Sequence, residues 1–196
     1  MKEAYIDVET TGLSAYKNGI IELALIVEID GIEQFRWASK MNPLPCEVDQ
    51  KALDVTSITL EEIQTYPHMQ AVIGDFVARL DSLVVKWDKK DKLHFTAYNA
   101  IFDQDFVRNT MKAFDPRCYF GSYFWWPVTD VMGLAAEFLK EQRPLMVDFK
   151  LGTVYEWLFD EKLEDAHEAM ADIKATRRIH KHITQHGIRR DNADSS

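Results

Sequence analysis

Residues 4–13 read Ala4-Tyr5-Ile6-Asp7-Val8-Glu9-Thr10-Thr11-Gly12-Leu13, a short apolar run that carries two carboxylates and then breaks into a polar turn. A β-strand alternates its side chains between two faces, so Asp7 and Glu9 share one face while Ile6 and Val8 share the other. Two like charges side by side on a strand repel, and no Lys or Arg accompanies them within the run. Such a pair asks for a cation from elsewhere, and oxygen ligands favour a hard divalent ion, Mg²⁺ or Mn²⁺. Taken alone, the run describes a solvated edge strand with two outward acids equally well, and the rest of the chain decides between the two.

The chain of 196 residues, 46% hydrophobic and 28% charged, suits one globular domain, expected over residues 1–188 and followed by a polar, disordered tail over 189–196. Its longest aliphatic run, residues 23–27, is too short to span a bilayer, and the N-terminus shows no charged-then-apolar signal segment. A cytoplasmic protein without a membrane partner is therefore expected. Cys46 and Cys118 lack the spacing of a zinc or redox pair and read as packing residues. The net charge of -9 argues against a broad basic surface for nucleic acid. It does not exclude a grip through bound metal, because each divalent ion reverses the sign of its own pocket.

Residues 20–29 are rich in β-branched side chains and end at Asp30-Gly31, a strong hairpin signal, after which residues 32–40 return as a third strand. Pro43 and Pro45 break the meander. A short helix is expected over residues 47–53, and Thr59-Leu60-Glu61-Glu62 has the form of a capping box opening another. Residues 69–85 place apolar side chains at helical spacing and predict an amphipathic helix against the sheet. The charged run 86–92 reads as a solvated turn, residues 93–98 as a fourth strand, and Asn99 onward as a helix to about Phe114. The aromatic segment 119–126 reads as packing at the sheet edge; an exposed Trp125 or Trp126 would instead mark a platform for stacked bases. Thr129 or Asp130 can cap a helix through Leu139, Asp148 can start one through Leu158, and a last helix is expected from Asp165 to Gly187, with Asp165 and Glu168 in capping-box spacing.

That last helix carries His167 and Asp172, which at helical geometry differ by roughly 140° around the axis. They can flank one cleft if His167 sits at the frayed first turn. His182 and His186 are also spaced one turn apart but without an acidic partner, and read as a solvated face.

Three groups now stand in order: Asp7-x-Glu9-Thr10-Thr11-Gly12, then Asn99-x-x-x-Asp103, then His167-x-x-x-x-Asp172. Together they resemble the three motifs of the DEDDh 3′→5′ exonucleases, which include the proofreading epsilon subunit of bacterial replicative polymerase, oligonucleotide-trimming relatives and phage enzymes. The resemblance covers nearly the whole chain and extends to Phe149-Lys150-Leu151 and Ala175-Thr176. It implies an α/β, ribonuclease H-like fold: a five-stranded mixed sheet flanked by helices, its second strand antiparallel to the rest.

The same resemblance implies that Asp7, Glu9, Asp103 and Asp172 bind two divalent ions, Mg²⁺ or Mn²⁺, and that His167 takes the proton of the attacking water. Histidine suits that part because its ordinary pKa of about 6.5 lies near working pH. The implied activity is hydrolysis of terminal phosphodiesters at single-stranded or frayed DNA 3′ ends to nucleoside 5′-monophosphates. An RNA-trimming enzyme of the same family is the alternative, and a non-catalytic module that binds nucleic acid or a polymerase a more distant one. Thr10, Thr11, Gly12 and Leu13 are expected to line the pocket of the terminal nucleotide, with Asn99, Phe102 and Phe106 as further substrate-binding candidates. The implied partners are a nucleic acid 3′ end and a DNA polymerase.

Overall fold

The computed structural model describes residues 1–164 and 167–187. Strand β1 (Lys2–Thr10) pairs antiparallel with β2 (Ile20–Ile29), which pairs antiparallel with β3 (Ile32–Lys40). The β2–β3 connection is the two-residue turn at Asp30 and Gly31, whose φ values of 51° and 80° give the turn a twist that matches the right-handed twist of the strands it joins. Strand β4 (His94–Ala97) joins the other side of β1 in parallel, and β5 (Thr129–Asp130) adds in parallel to β4. The order β3-β2-β1-β4-β5, with β2 reversed, is the five-stranded mixed sheet expected of the ribonuclease H-like fold.

Helices cover both faces. On one, α3 (Met69–Leu83) and α4 (Ala100–Phe114) pack Val72, Ile73, Phe76, Phe106 and Met111 against Ala4, Ile6 and Val8 of β1 and their neighbours on β2 and β4. On the other, α7 (Ala169–Gly187) lays Ala169 and Ile173 on Tyr5, Ala24 and Ile26, and its later turns join α5 (Val131–Phe138) and α6 (Leu151–Phe159) in a second cluster around Val131, Val154 and Ile179. Tyr5, Asp7 and Glu9 thus share the α7 face by strand alternation. Two short helices, α1 (Gln50–Thr56) and α2 (Leu60–Thr65), close the loop after β3; Thr59 and Glu62 make the capping box in both directions.

Several boundaries move. Helix α1 starts at Gln50, where the Asp49 side chain accepts from the Lys51 N–H, and α6 starts at Leu151, beyond Asp148. The last helix begins at Ala169, not near Asp165, because His167 takes a left-handed φ of 71° that helical geometry excludes. Asp165 itself and the tail 189–196 lie outside the described residues. In the aromatic segment, Phe120 and Phe124 are buried against Phe95, with ring centroids 5.4 and 5.3 Å away, and Tyr123 donates to Asp81. Trp126 is 69% exposed. Phe124 bridges to Leu93 at the start of β4, so the segment lies at the other end of that strand from Asn99 and Asp103 and is no platform for the site. Among the described residues no helix is long and apolar enough to cross a membrane.

Candidate active site

The C-terminal ends of β1, β4 and β5 point the same way, and crevices outside such ends are where open α/β sheets place ligands. β1 delivers Asp7 and Glu9. Immediately after β4, Asn99 turns the chain through a left-handed φ of 61° into α4, placing Asp103 in that helix's first turn. Asp103 is 3% exposed, and its Oδ1 accepts from the Val8 N–H at 3.1 Å, which ties α4 to β1. Asp172 enters from the first turn of α7. Glu9, His167 and Asp172 each bring one donor atom into a group whose members lie within 4.8 Å of one another. His167 precedes the helix, so the angular conflict on one helix axis does not arise. Its backbone N–H donates to the Asp172 carboxylate.

The electrostatics follow from burial and like charge. Burial, and then Asp103, Asp172, Glu9 and Glu22, hold the Asp7 carboxyl well above its usual range. Glu9 is pushed up to about 8 by burial, then by Asp172, Glu22 and Asp103. Burial raises Asp103 strongly against the Val8 N–H that favours its charge, and raises Asp172 against the opposing pull of His167. Asp172 Oδ1 is buried with no hydrogen-bond partner, and no Lys or Arg forms a salt bridge with these four carboxylates among the described residues. A thiol-free set of converging oxygens with an orphaned acceptor fits hard divalent cations.

One consequence concerns pH. A carboxylate whose folded pKa is raised stabilises the fold below its unfolded pKa and loses that contribution as pH rises through the folded value. For Glu9 the window runs from 4.5 to about 8, and Asp7 and Asp103 act in the same direction. His180 and His182, held below their usual range by burial, push the other way. The informative quantity is therefore the gap between unfolding temperatures with and without divalent ion. It should widen as pH rises through that window; a constant gap would contradict the charge cluster.

Two further acids belong to the site's surroundings. Glu22 lies opposite Glu9 in the β1–β2 register, a pairing visible only once the strands are aligned, and burial raises it too. Asp130, read from sequence as a cap, does more: its Oδ1 accepts from Met132 N–H on α5 at 3.1 Å and from Asn99 and Ala100 N–H at 2.9 and 3.3 Å. One oxygen thus fixes the first turns of two helices, including the one that carries Asp103. Asp130→Ala should cost about 2–3 kcal/mol, since three donors lose a charged acceptor, measurable by urea unfolding.

The remaining sequence candidates divide. Leu13 is 84% exposed beside the site's strand, Asn99 is exposed, and Phe102 is half-buried. Phe106, at 1% exposure, packs in the core with its ring centroid 4.9 Å from that of Phe102 and tilted 49° to it. Thr11 turns its side chain inward. Fully buried, it donates to Glu47 O and accepts from Gly19 N–H, so it closes the loop that Leu13 sits on. Thr10 donates to Gly12 O. Gly12 leaves room for the Asn18 amide: a Cβ there would lie 2.5 Å from it and displace a side chain that accepts from Ser14 N–H and donates to Glu47 O.

Sheet order, helix placement and a carboxylate cluster at the strand ends define a ribonuclease H-like protein with a candidate metal-dependent hydrolytic site. The family model RNase_T, described as Exonuclease, matches residues 5–180, and the chain belongs to that exonuclease family. The resemblance read from the three motifs is thereby borne out. Among relatives, DNA polymerase III PolC-type of Oceanobacillus iheyensis is 33% identical over 170 residues, and that of Bacillus subtilis 32% over 180. These alignments cover 87% and 89% of this chain but only 10% and 11% of the relatives, so the chain matches a small part of a much longer protein. Among solved structures, E. coli exonuclease I in complex with a dT13 oligonucleotide superposes with a TM-score of 0.75 at 19% identity, over 96% of this chain and 42% of that one. This is likeness of fold.

Proposed function

We propose that this chain is a 3′→5′ exonuclease that hydrolyses the terminal phosphodiester of DNA and releases nucleoside 5′-monophosphates. The observation that carries the reading is the convergence of Glu9, His167 and Asp172 donor atoms beside the half-buried Asp7 and the buried Asp103. The PolC-type relatives and the oligonucleotide complexes of exonuclease I support DNA as substrate and a polymerase as the setting.

In this reading Asp7, Glu9, Asp103 and Asp172 would hold two divalent ions, Mg²⁺ or Mn²⁺. When bound, such ions supply Lewis-acid activation of water and offset the charge that builds on phosphate and leaving oxygen. His167 Nδ1 or Nε2, open to solvent at the cluster's rim, accepts the proton of the attacking water as the new O–P bond forms and the P–O3′ bond breaks. The departing O3′ takes a proton from solvent water, so the strand that remains ends in a 3′-hydroxyl. Asp172 orients the turn that presents His167 through the backbone N–H it accepts. In this reading the exposed Leu13 would press on the terminal base, carried by a loop that Thr11 ties to Glu47 O.

Matched 3′-labelled DNA and RNA oligomers, with Mg²⁺, with Mn²⁺ and with chelator, test this. Divalent-dependent release of mononucleotides, faster from DNA, is the expected result. A folded protein that releases nothing from either strand under any condition overturns it, and faster release from RNA moves the substrate to the alternative.

A further inference from the structure

Three adjoining depressions lead from the candidate site along the seam between α6 and α7. The first, about 370 Å³, is walled by His167 and Asp172 together with Lys150 and Lys162. The second shares Lys162 and Leu163 with it and continues to Lys174 and Arg178. The third shares Lys174 and Arg178 in turn and ends among Arg177 and Lys181. Neighbours in this series share lining residues, so together they form a row, called the trough below, that begins at two residues of the proposed chemistry.

The cations of the trough are of two kinds. Arg177 and Lys181 are ion-paired with Glu28 and Glu33, and Arg178 with Glu161 while it lies 4.0 Å from the Phe159 ring centroid. Each of these is held in an ion pair within the protein. Lys150, Lys162 and Lys174 are exposed, and their ammonium groups stand in no salt bridge among the described residues. Two exposed acids, Glu156 and Glu164, line the same trough, also without a salt bridge there. On a chain of net charge -9 whose site is itself a carboxylate cluster, three unmatched ammonium groups leading away from that cluster give a polyanion its path.

We propose that this trough carries the single strand on the 5′ side of the scissile phosphodiester, with Lys150, Lys162 and Lys174 contacting its phosphates. The inference rests on the exonuclease reading for the placement of the strand's end. Three ammonium groups opposed by two carboxylates make a weak grip that salt readily screens, and Glu156 and Glu164 set that weakness.

The test is anisotropy of a short 5′-labelled DNA oligomer in chelator over a series of KCl concentrations. Lys150→Ala/Lys162→Ala/Lys174→Ala should bind about tenfold more weakly at low salt. Its slope of log affinity against log salt should be shallower by about 2, since each phosphate contact on a single strand contributes about 0.7. Glu156→Gln/Glu164→Gln should bind more tightly than wild type. Lys89→Ala/Lys90→Ala/Lys112→Ala removes the same charge from exposed positions outside α6 and α7 and should keep the wild-type slope. A trough variant with the wild-type slope, or a control variant that loses as much, overturns the path. Mononucleotide release by wild type is scored apart. Turnover with an unchanged slope in the trough variant sinks the path alone, and a shallower slope in a protein without turnover supports the path and counts against the hydrolysis.

Discussion

Asp103→Asn is expected to lower mononucleotide release about a thousandfold and, in the same protein, to raise the unfolding temperature of the metal-free form at about pH 8. Both halves come from one side chain. Asp103 is 3% exposed, and burial together with Asp130 and Asp172 disfavours its charged form. It in turn helps to raise Asp7 and Glu9. An amide of the same shape keeps the Oδ1 acceptor for the Val8 N–H, so the bond between α4 and β1 survives while the negative charge goes. Without cations the charge is a cost to the fold, and removing it should stabilise; in the proposed reading it is a ligand once cations bind, and removing it should disable. The expected gain grows with pH, because the carboxylates around it ionise in the folded state only as pH approaches the raised values. A variant that is inactive and less stable would point to misfolding, and one with near wild-type turnover would remove Asp103 from the site. Thermal unfolding in chelator beside a turnover assay separates these results.

The parts of this arrangement that could be read from sequence are those in which one residue type answers one local demand. Alternation in residues 4–9 and the Asp30-Gly31 turn define the first three strands without help from the rest of the chain. The helix over residues 69–83 follows from its apolar spacing. Strand β5 is two residues long, too short for any pattern, and exists because Thr129 and Asp130 pair with Thr96 and Ala97. The last helix starts later than its spacing predicts because that spacing continues through His167, and nothing in a histidine announces a left-handed turn. The site divides in the same way. The four acids and His167 stand out by type and order, whereas Glu22 enters only through strand register and Asp130 only through three backbone donors brought from two elements. For Thr11 and Phe106 the motif names the residue but not where its side chain goes. Tertiary contacts give Thr11 to the loop at Glu47 and Phe106 to the core.

His167→Gly should lower turnover by a factor of about 10² to 10⁴, and added imidazole should restore a measurable part of it. Glycine is the substitution that isolates the side chain. At φ 71° a β-carbon is strained by an amount on the order of 1 kcal/mol, so alanine would lose the ring and keep the strain, whereas glycine adopts the angle freely. The backbone N–H that Asp172 accepts is retained, so the carboxylate stays aimed while the imidazole is removed. His167 is exposed, which lets a small base reach the vacated position beside Glu9 and Asp172. If the ring acts as proton acceptor, rescue saturates with the unprotonated fraction of the added base, and substituted imidazoles of different pKa shift the pH profile of the rescued activity with them. If the ring served only to hold the turn, glycine would lose less than tenfold and imidazole would add nothing. If it served as a metal ligand, rescue would follow divalent ion concentration and not the pKa of the base. The pH profile of the rescued variant separates proton transfer from both alternatives, because only there does the pKa of a molecule added from solution set the rate.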